Sequence, residues 1–393
     1  MTAVIASKNP DITDEMVEKA QALVGVWLRR DVHVPTYAES ISPIDIRRWA
    51  EYSMGDDNPL YSDPEYAAHS FWGGQIAPPT LLYTFDSTIV APGFRGIQWI
   101  YGGTRWQNYV PIRVGDKITA RARVIGMEEK VGKHANRFFV QIGQTVFENQ
   151  RGELVSIAES DVLRIPRSNS GKNSGLRGFE DRNDPPTYTD EQLDAIRTAY
   201  LTEARRGAEP RYWEDVEPGD VLRPVVKGPL TLVDIMAFYS GRRNTYPPLK
   251  LAVLDRERHP GNVYHSPTTR IPMHPAAGHM DNEIAREIGM PRAYDQGWQR
   301  ANWGCHLITN WAGDMSFIES LNHKLLAPNL VGDTTWMKGT VSGKRVAGDQ
   351  HLVDIEFQGI NQDDRVNVIG TATVRLPSKD VRDLFLLSDG SKL

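Results

Sequence analysis

Apolar positions recur along this chain in two periods, and the change from one to the other divides it. In residues 13–28, Met16, Ala20, Leu23, Val24, Trp27 and Leu28 fall on one stripe of period 3.6, which predicts an amphipathic helix. Ser42 or Asp45 can start a short helix through Ile46, Trp49 and Tyr52 that ends near Gly55. A polar turn follows in residues 55–67, then a second short helix capped by Asp63 with Pro64 at its first position. Leu81, Leu82, Phe85, Ile89 and Val90 form an apolar run behind Pro78-Pro79 and predict a buried helix. Alternation of period 2 then predicts strands at 96–101, 104–109, 117–127, 137–148 and 154–164. One buried helix followed by long antiparallel strands implies a sheet wrapped around that helix. Residues 167–177 read as a flexible linker, and 190–205 as a helix.

The second half repeats the first. Tyr61, Asp63, Ala67 and Pro79 recur as His279, Asp281, Ala285 and Gly297, all at a separation of 218 residues. Asp45-Ile46 recurs as Asp234-Ile235, and Val114-Gly115-Asp116 as Val331-Gly332-Asp333. Several pairs in one register imply a duplication. The second copy carries extra residues near 242–272, rich in Pro and Arg, which read as a loop. The organisation expected is a helical extension (1–34), a first domain (35–166), a linker with a helix (167–211), a second domain (212–377) and a tail (378–393).

Composition changes this picture little. Net charge is −5 over 393 residues, which offers no nucleic-acid footprint and no polybasic membrane patch. A single cysteine, Cys305, excludes an intrachain disulfide and a cysteine zinc cluster, and fits a reducing, cytoplasmic setting. No apolar stretch approaches the ~20 residues of a membrane span.

The candidate chemistry lies between His274 and Gly297. His279 titrates near neutrality, as a proton-moving group should. Gly297 offers an N–H at the start of an apolar helix, where free amides and the dipole favour negative charge. The first copy has Tyr61 and Pro79 at these places. Tyrosine is a poor base at pH 7, and proline has no N–H. The first copy therefore reads as a structural half, with Asp56 and Asn58 suited to turn and capping roles.

Gly55-Asp56-Asp57-Asn58-Pro59, with Tyr61 two further on and then Asp63, resembles the motif of MaoC-like hydratases, the R-specific enoyl-CoA hydratases and related acyl dehydratases. Ile76-Ala77-Pro78-Pro79-Thr80 is similar to the FAS1-like dehydratase type of N-terminal half. The resemblance implies an α+β double hot-dog: two antiparallel sheets, each wrapped around a central helix, forming a pseudo-dimer. It implies a hydro-lyase acting on an α,β-unsaturated acyl thioester, with a bulky or unusual acyl group accommodated beside the degenerate half. Coenzyme A would be part of the substrate, with no metal or redox cofactor, no nucleic-acid or membrane partner, and self-association into a homo-oligomer. In that family a motif Asp and a His five residues later activate water, and a backbone amide at the head of the central helix binds the thioester oxygen. Carried over, the catalytic set is His279, His274, Gly297 and Asp56.

His274 stands where the motif Asp is expected, so the carboxylate is missing from the second copy. A His274–His279 pair can hold the water, Asp56 can reach across the pseudo-dimer, or Asp295 can serve. Asn58, Tyr61, Gln296, Arg300 and Asp295 are the candidate substrate-binding residues, Arg300 either through an anion or spent in a salt bridge such as one to Asp314. A thioesterase on the same fold and a non-catalytic acyl-binding subunit are the alternatives.

Overall fold

The computed structural model describes residues 11–32, 39–131, 137–166, 182–242, 246–258 and 263–380. The linker read at 167–177 lies outside these residues. Helix α1 (Asp14–Gln21) starts at Thr13, whose hydroxyl accepts from the Met16 amide. It is shorter than the apolar stripe predicts: Gly25 takes φ +85 and its N–H bonds to the Val124 carbonyl. Trp27 and Leu28 consequently lie in strand β1 (Trp27–Val32), where the Arg121 and Arg123 guanidinium groups cover the Trp27 ring.

Helix α2 (Pro43–Arg48) begins in a Ser42–Asp45 capping box, widens into a π-helical turn over Trp49–Met54 and stops at left-handed Gly55. Two short helices follow, α3 (Pro59–Ser62) capped by Asn58 and α4 (Pro64–His69) capped by Asp63. The buried helix expected after Pro79 is only a 3-10 turn, Pro79–Thr84. Polar Asp86 and Thr88 end it, with Thr88 at φ +59 and its N–H held by the Asp86 carboxylate at 2.6 Å.

The two runs 96–101 and 104–109 are one strand, β2 (Gln98–Asn108), whose register shifts at Gly103. Strands β3 (Thr119–Lys130), β4 (Phe138–Glu148) and β5 (Leu154–Ile165) complete the first half. Helix α5 (Asp190–Leu201) leads to the second half, whose strands are β6 (Val221–Lys227), β7 (Phe317–Leu325), β8 (Thr335–Ala347), β9 (Gln350–Asn361) and β10 (Val366–Arg375). All ten strands form one antiparallel sheet in the order β1-β3-β4-β5-β2-β7-β10-β9-β8-β6. The order reads the same from either edge once each strand is matched with its counterpart in the other half. The halves join through β2 and β7, with Trp106 opposite Leu321 and Thr104 opposite His323. The implied double hot-dog is present, with its two five-stranded sheets fused edge to edge.

Before β7 come α6 (Leu232–Gly241), α7 (Leu249–Arg258), α8 (Asn282–Glu287) and α9 (Gly297–Ala312). Helix α7 lies within the segment that reads as a loop. Its Leu249, Leu251, Val253 and Leu254 are exposed, so no buried stripe marked it in the sequence. Helix α9 is the central helix of the second half, and every residue but Gly297 and Thr309 is buried. It rides close on the sheet at Gly304, where a Cβ would stand 2.8 Å from the Phe357 ring. Among the described residues no helix is long and apolar enough to cross a membrane.

Candidate active site

The head of α9 brings together much of what the sequence marks. Tyr294 precedes it, and the His279 Nδ1 donates to the Tyr294 carbonyl at 3.0 Å. A carbonyl only accepts, so Nδ1 carries the proton and Nε2 is the lone-pair nitrogen. Burial pushes the His279 ring down to about 4, against the opposing pull of the Tyr294 and Asp295 backbone, so it is a neutral base at pH 7. Gly297 opens the helix, and its N–H is one of the first-turn amides that have no acceptor within the helix. A larger residue would crowd its neighbours there: a Cβ would lie 2.7 Å from both Leu325 Cδ1 and Tyr101 Cδ1. Tyr101 belongs to β2, so the first half supplies a wall of the second half's site. Its hydroxyl is held by Tyr83 at 3.0 Å, Thr104 at 2.5 Å and His323 at 3.1 Å.

His274 caps the 3-10 turn Pro275–His279, its Nδ1 accepting from the Ala276 amide at 3.1 Å. Its ring lies against Tyr246, with centroids 4.1 Å apart, and burial lowers its pKa. His274-Pro275 thus does what Asn58-Pro59 does in the first half, capping a turn with proline at its first position. The constant 218 separation places His274 opposite Asp56; its structural counterpart is Asn58, because the second turn is two residues longer. Asp281 caps α8 as Asp63 caps α4, through bonds from the second and third amides of each helix.

Asp56 does not reach this site. Its Oδ1 accepts from the Asn58 amide at 2.9 Å and stands 3.7 Å from Nε2 of His306. His306 is nine residues beyond Gly297, about 14 Å along the helix at 1.5 Å per residue. Asn58 and Tyr61 belong with Asp56. Asn58 donates to Asp314 at 2.8 Å, and Thr309 hydrogen-bonds the Tyr61 hydroxyl. The candidate residues therefore divide between the two ends of α9.

Arg300 and Asp295 pair with each other. The Arg300 Nε pairs with Asp295 at 2.8 Å, and its Nη1 donates to the Ala327 and Asn367 carbonyls at 2.6 and 2.8 Å. This guanidinium is buried and engaged within the protein rather than offered to a ligand, and its carboxylate partner is Asp295, not Asp314. Burial pushes Asp295 up to about 7 although Arg300 opposes the shift. Gln296 turns its amide to the Tyr239 hydroxyl, and its own N–H is held by Gln299 at 2.8 Å.

A second group was missed in the sequence. Lys227 Nζ lies 2.6 Å from His306 Nδ1 and donates to the Met54 carbonyl at 2.7 Å. Glu203, just past α5, is 3.1 Å from both His306 Nε2 and Asn310 Nδ2. The signal was available: Asn302, His306 and Asn310 repeat every fourth residue along the helix, and Asn302 faces the Ser53 carbonyl. Among the described residues no group of three or more His, Cys, Asp or Glu side chains is placed to hold a metal ion.

Comparison with known proteins bears on the family and the fold. The family described as FAS1-like, dehydratase domain region, matches residues 30–158. A UPF0336 protein of Streptomyces avermitilis is 30% identical over 105 residues, 25% of this chain and 69% of that protein. The chain belongs to the MaoC-like hot-dog family. An (R)-specific enoyl-CoA hydratase of Rhodospirillum rubrum is 32% identical over 90 residues, 23% of this chain and 62% of that enzyme. A solved MaoC-like dehydratase superposes with a TM-score of 0.58 at 16% identity, covering 91% of this chain and 99% of its own. At that identity the superposition establishes the shared double hot-dog fold. In this member of the MaoC-like family the histidine and the helix-head glycine lie in the second half, and the Gly-Asp-x-Asn-Pro signature in the first.

Proposed function

We propose that this protein is a hydro-lyase that adds water to, or removes it from, an α,β-unsaturated acyl thioester carried on coenzyme A. The observation that carries the reading is the His279 ring, fixed by Tyr294 with its basic nitrogen unprotonated beside the head of α9. In hydration, Nε2 takes a proton from water as the water oxygen bonds to the β-carbon. The electron pair of the double bond moves onto the thioester oxygen as an enolate. The Gly297 N–H donates to that oxygen, a contribution of ~3–4 kcal/mol for a donor of this kind. The proton then returns from the imidazolium to the α-carbon, and nothing else is consumed. The enoyl-CoA hydratase named among the relatives supports this substrate class.

The test is hydration of crotonyl-CoA and longer enoyl-CoAs by the intact protein and by His279→Ala. The wild type should turn over, and the variant should lose about 100-fold or more. Equal rates in both would remove His279 from the reaction. A second reading, a non-catalytic acyl-binding protein, draws support from the placement of Asp56 at the far end of α9 and from Asp295 being paired to Arg300. Tight binding of enoyl-CoA with no turnover by the wild type would select it.

A further inference from the structure

The second half carries a cavity on the face of its sheet that turns away from α9. Side chains alternate between the two faces of a strand. On β8, Met337 is buried in the core beneath α9, so its neighbours Trp336 and Lys338 take the opposite face. Helix α5 packs against β6. Where it overhangs β8 and β9 it leaves a cavity of about 330 Å³. Ala195 and Ile196 of α5 form one wall, and Trp336 and Ile360, which pair across the two strands, form the other. Small-molecule sites span roughly 300–1,000 Å³. The sheet stands between this cavity and the head of α9, and neither His279 nor Gly297 lines it.

Several polar groups of the wall are committed within the protein. The Tyr188 hydroxyl donates to the Gly332 carbonyl at 2.8 Å. The Asn361 side-chain oxygen accepts from the Asp363 and Arg365 amides, and that of Gln362 from the Thr334 amide. Trp336, Lys338 and Asp364 differ. Among the described residues, the Trp336 indole N–H, the Lys338 ammonium and the Asp364 carboxylate make no hydrogen bond or ion pair. Trp336 is half-buried, while Lys338 and Asp364 are exposed at the rim. The two charges mark opposite ends. Lys338 pairs with Gln358, and Thr335 with Asn361, just before the turn that carries Asp364. Three residues of strand separate those ends, about 10 Å at ~3.3 Å per residue. Trp336 lies between them.

We propose that this cavity binds a flat aromatic monocarboxylate that carries a hydroxyl or amine at its far end. The aromatic ring packs on the indole of Trp336, with Ile196 and Ile360 closing around it. The carboxylate meets the Lys338 ammonium in a charge-assisted hydrogen bond. The far hydroxyl or amine donates to Asp364. A second carboxylate at that end would face Asp364, so the site discriminates against a dianion by repulsion. The ligand is bound and not transformed. The proposal does not depend on the reaction assigned to the head of α9; absence of enoyl-CoA hydration would leave it standing.

The test is calorimetric titration of the full chain with 6-hydroxy-2-naphthoate, a rigid probe that carries neither an enoyl group nor a thioester. Saturable binding of one molecule per chain is expected. On methyl-labelled protein, NMR should show intermolecular contacts to the Ala195, Ile196 and Ile360 methyl groups. Naphthalene-2,6-dicarboxylate, with a second anion, and 2-naphthol, with none, should each bind at least about tenfold more weakly. Lys338→Met should weaken binding of the probe about tenfold. Ala195→Trp should fill the cavity and abolish binding, while His279→Ala should leave it unchanged. Lys338 and Ala195 are exposed, and the contacts are read on the wild type, so the result does not hang on a variant folding. The proposal is overturned if the probe does not saturate, if its contacts fall on other methyl groups, if the dicarboxylate or 2-naphthol binds equally well, or if Lys338→Met and Ala195→Trp both bind as the wild type does.

Discussion

At the scale of the residue, the proposed reaction depends on the protonation state of His279. Its ring is held neutral by burial, with a pKa of about 4 against 6.5 in the free residue. The pKa is depressed by folding, so the unfolded chain binds the extra proton between those two values. The associated stability is fully present above pH 6.5 and is lost as pH falls through about 4, amounting to something on the order of 3 kcal/mol. Denaturant titrations from pH 7 to 4 should therefore show a loss of stability that is smaller in His279→Ala. The same neutral ring should keep the acid limb of kcat/KM near 4 rather than 6.5; a limb at 6.5 would mean that the working ring is solvated. His274 and His279 looked like a pair in the chain. Only the capping bond to Ala276 and the bond to Tyr294 show that they have different jobs.

At the scale of the element, α9 is positioned by residues that contribute no reacting group. Gly297→Ala retains the N–H but places a Cβ 2.7 Å from Leu325 and Tyr101. The Tyr101 ring cannot easily move aside, because three partners hold its hydroxyl. The substitution should cost about 1–3 kcal/mol by overpacking and displace the helix head. Calorimetric melting should show the loss, and Gly297→Ala combined with Leu325→Ala should recover part of it. The capping positions Ser42, Asn58, Asp63 and Asp281 were readable in the sequence, since each bonds within its own first turn. The shortened helix after Pro79 was not. Its apolar spacing is helical, but the Asp86 carboxylate takes the Thr88 N–H and the Arg29 guanidinium, and the Thr88 hydroxyl turns to Ser160.

At the scale of the whole molecule, the halves and the connecting segment meet in a buried charged cluster. Lys227 comes from β6, His306 from α9, Asp56 from the first half and Glu203 from the connection between them. Burial lowers Lys227 to about 8, while Glu203, Asp56 and Asp57 oppose the shift. Lys227→Met would leave Glu203 and Asp56 facing each other without that cation, and should cost about 3–5 kcal/mol. Adding Glu203→Gln should restore part of the loss, giving a non-additive double-mutant cycle. Additive losses would show that Lys227 and Glu203 act independently. The cluster also explains the fate of the Gly-Asp-x-Asn-Pro segment in this chain: Asp56 and Asn58 join the first half to α9 through His306 and Asp314.

Period, capping and duplication are local or one-dimensional properties, and the chain alone determined them. Alternating positions required the strands, and the repeated spacings required two like halves. Which side chains share a site was decided only by the tertiary structure. Asp56 and the residues expected to act with it, His279 and Gly297, are instead held toward opposite ends of α9. Others far apart in the chain, Tyr101 and Gly297, are brought into contact because β2 and β7 pair across the junction. Spacing along a chain specifies which face a residue takes; only packing specifies what that face meets.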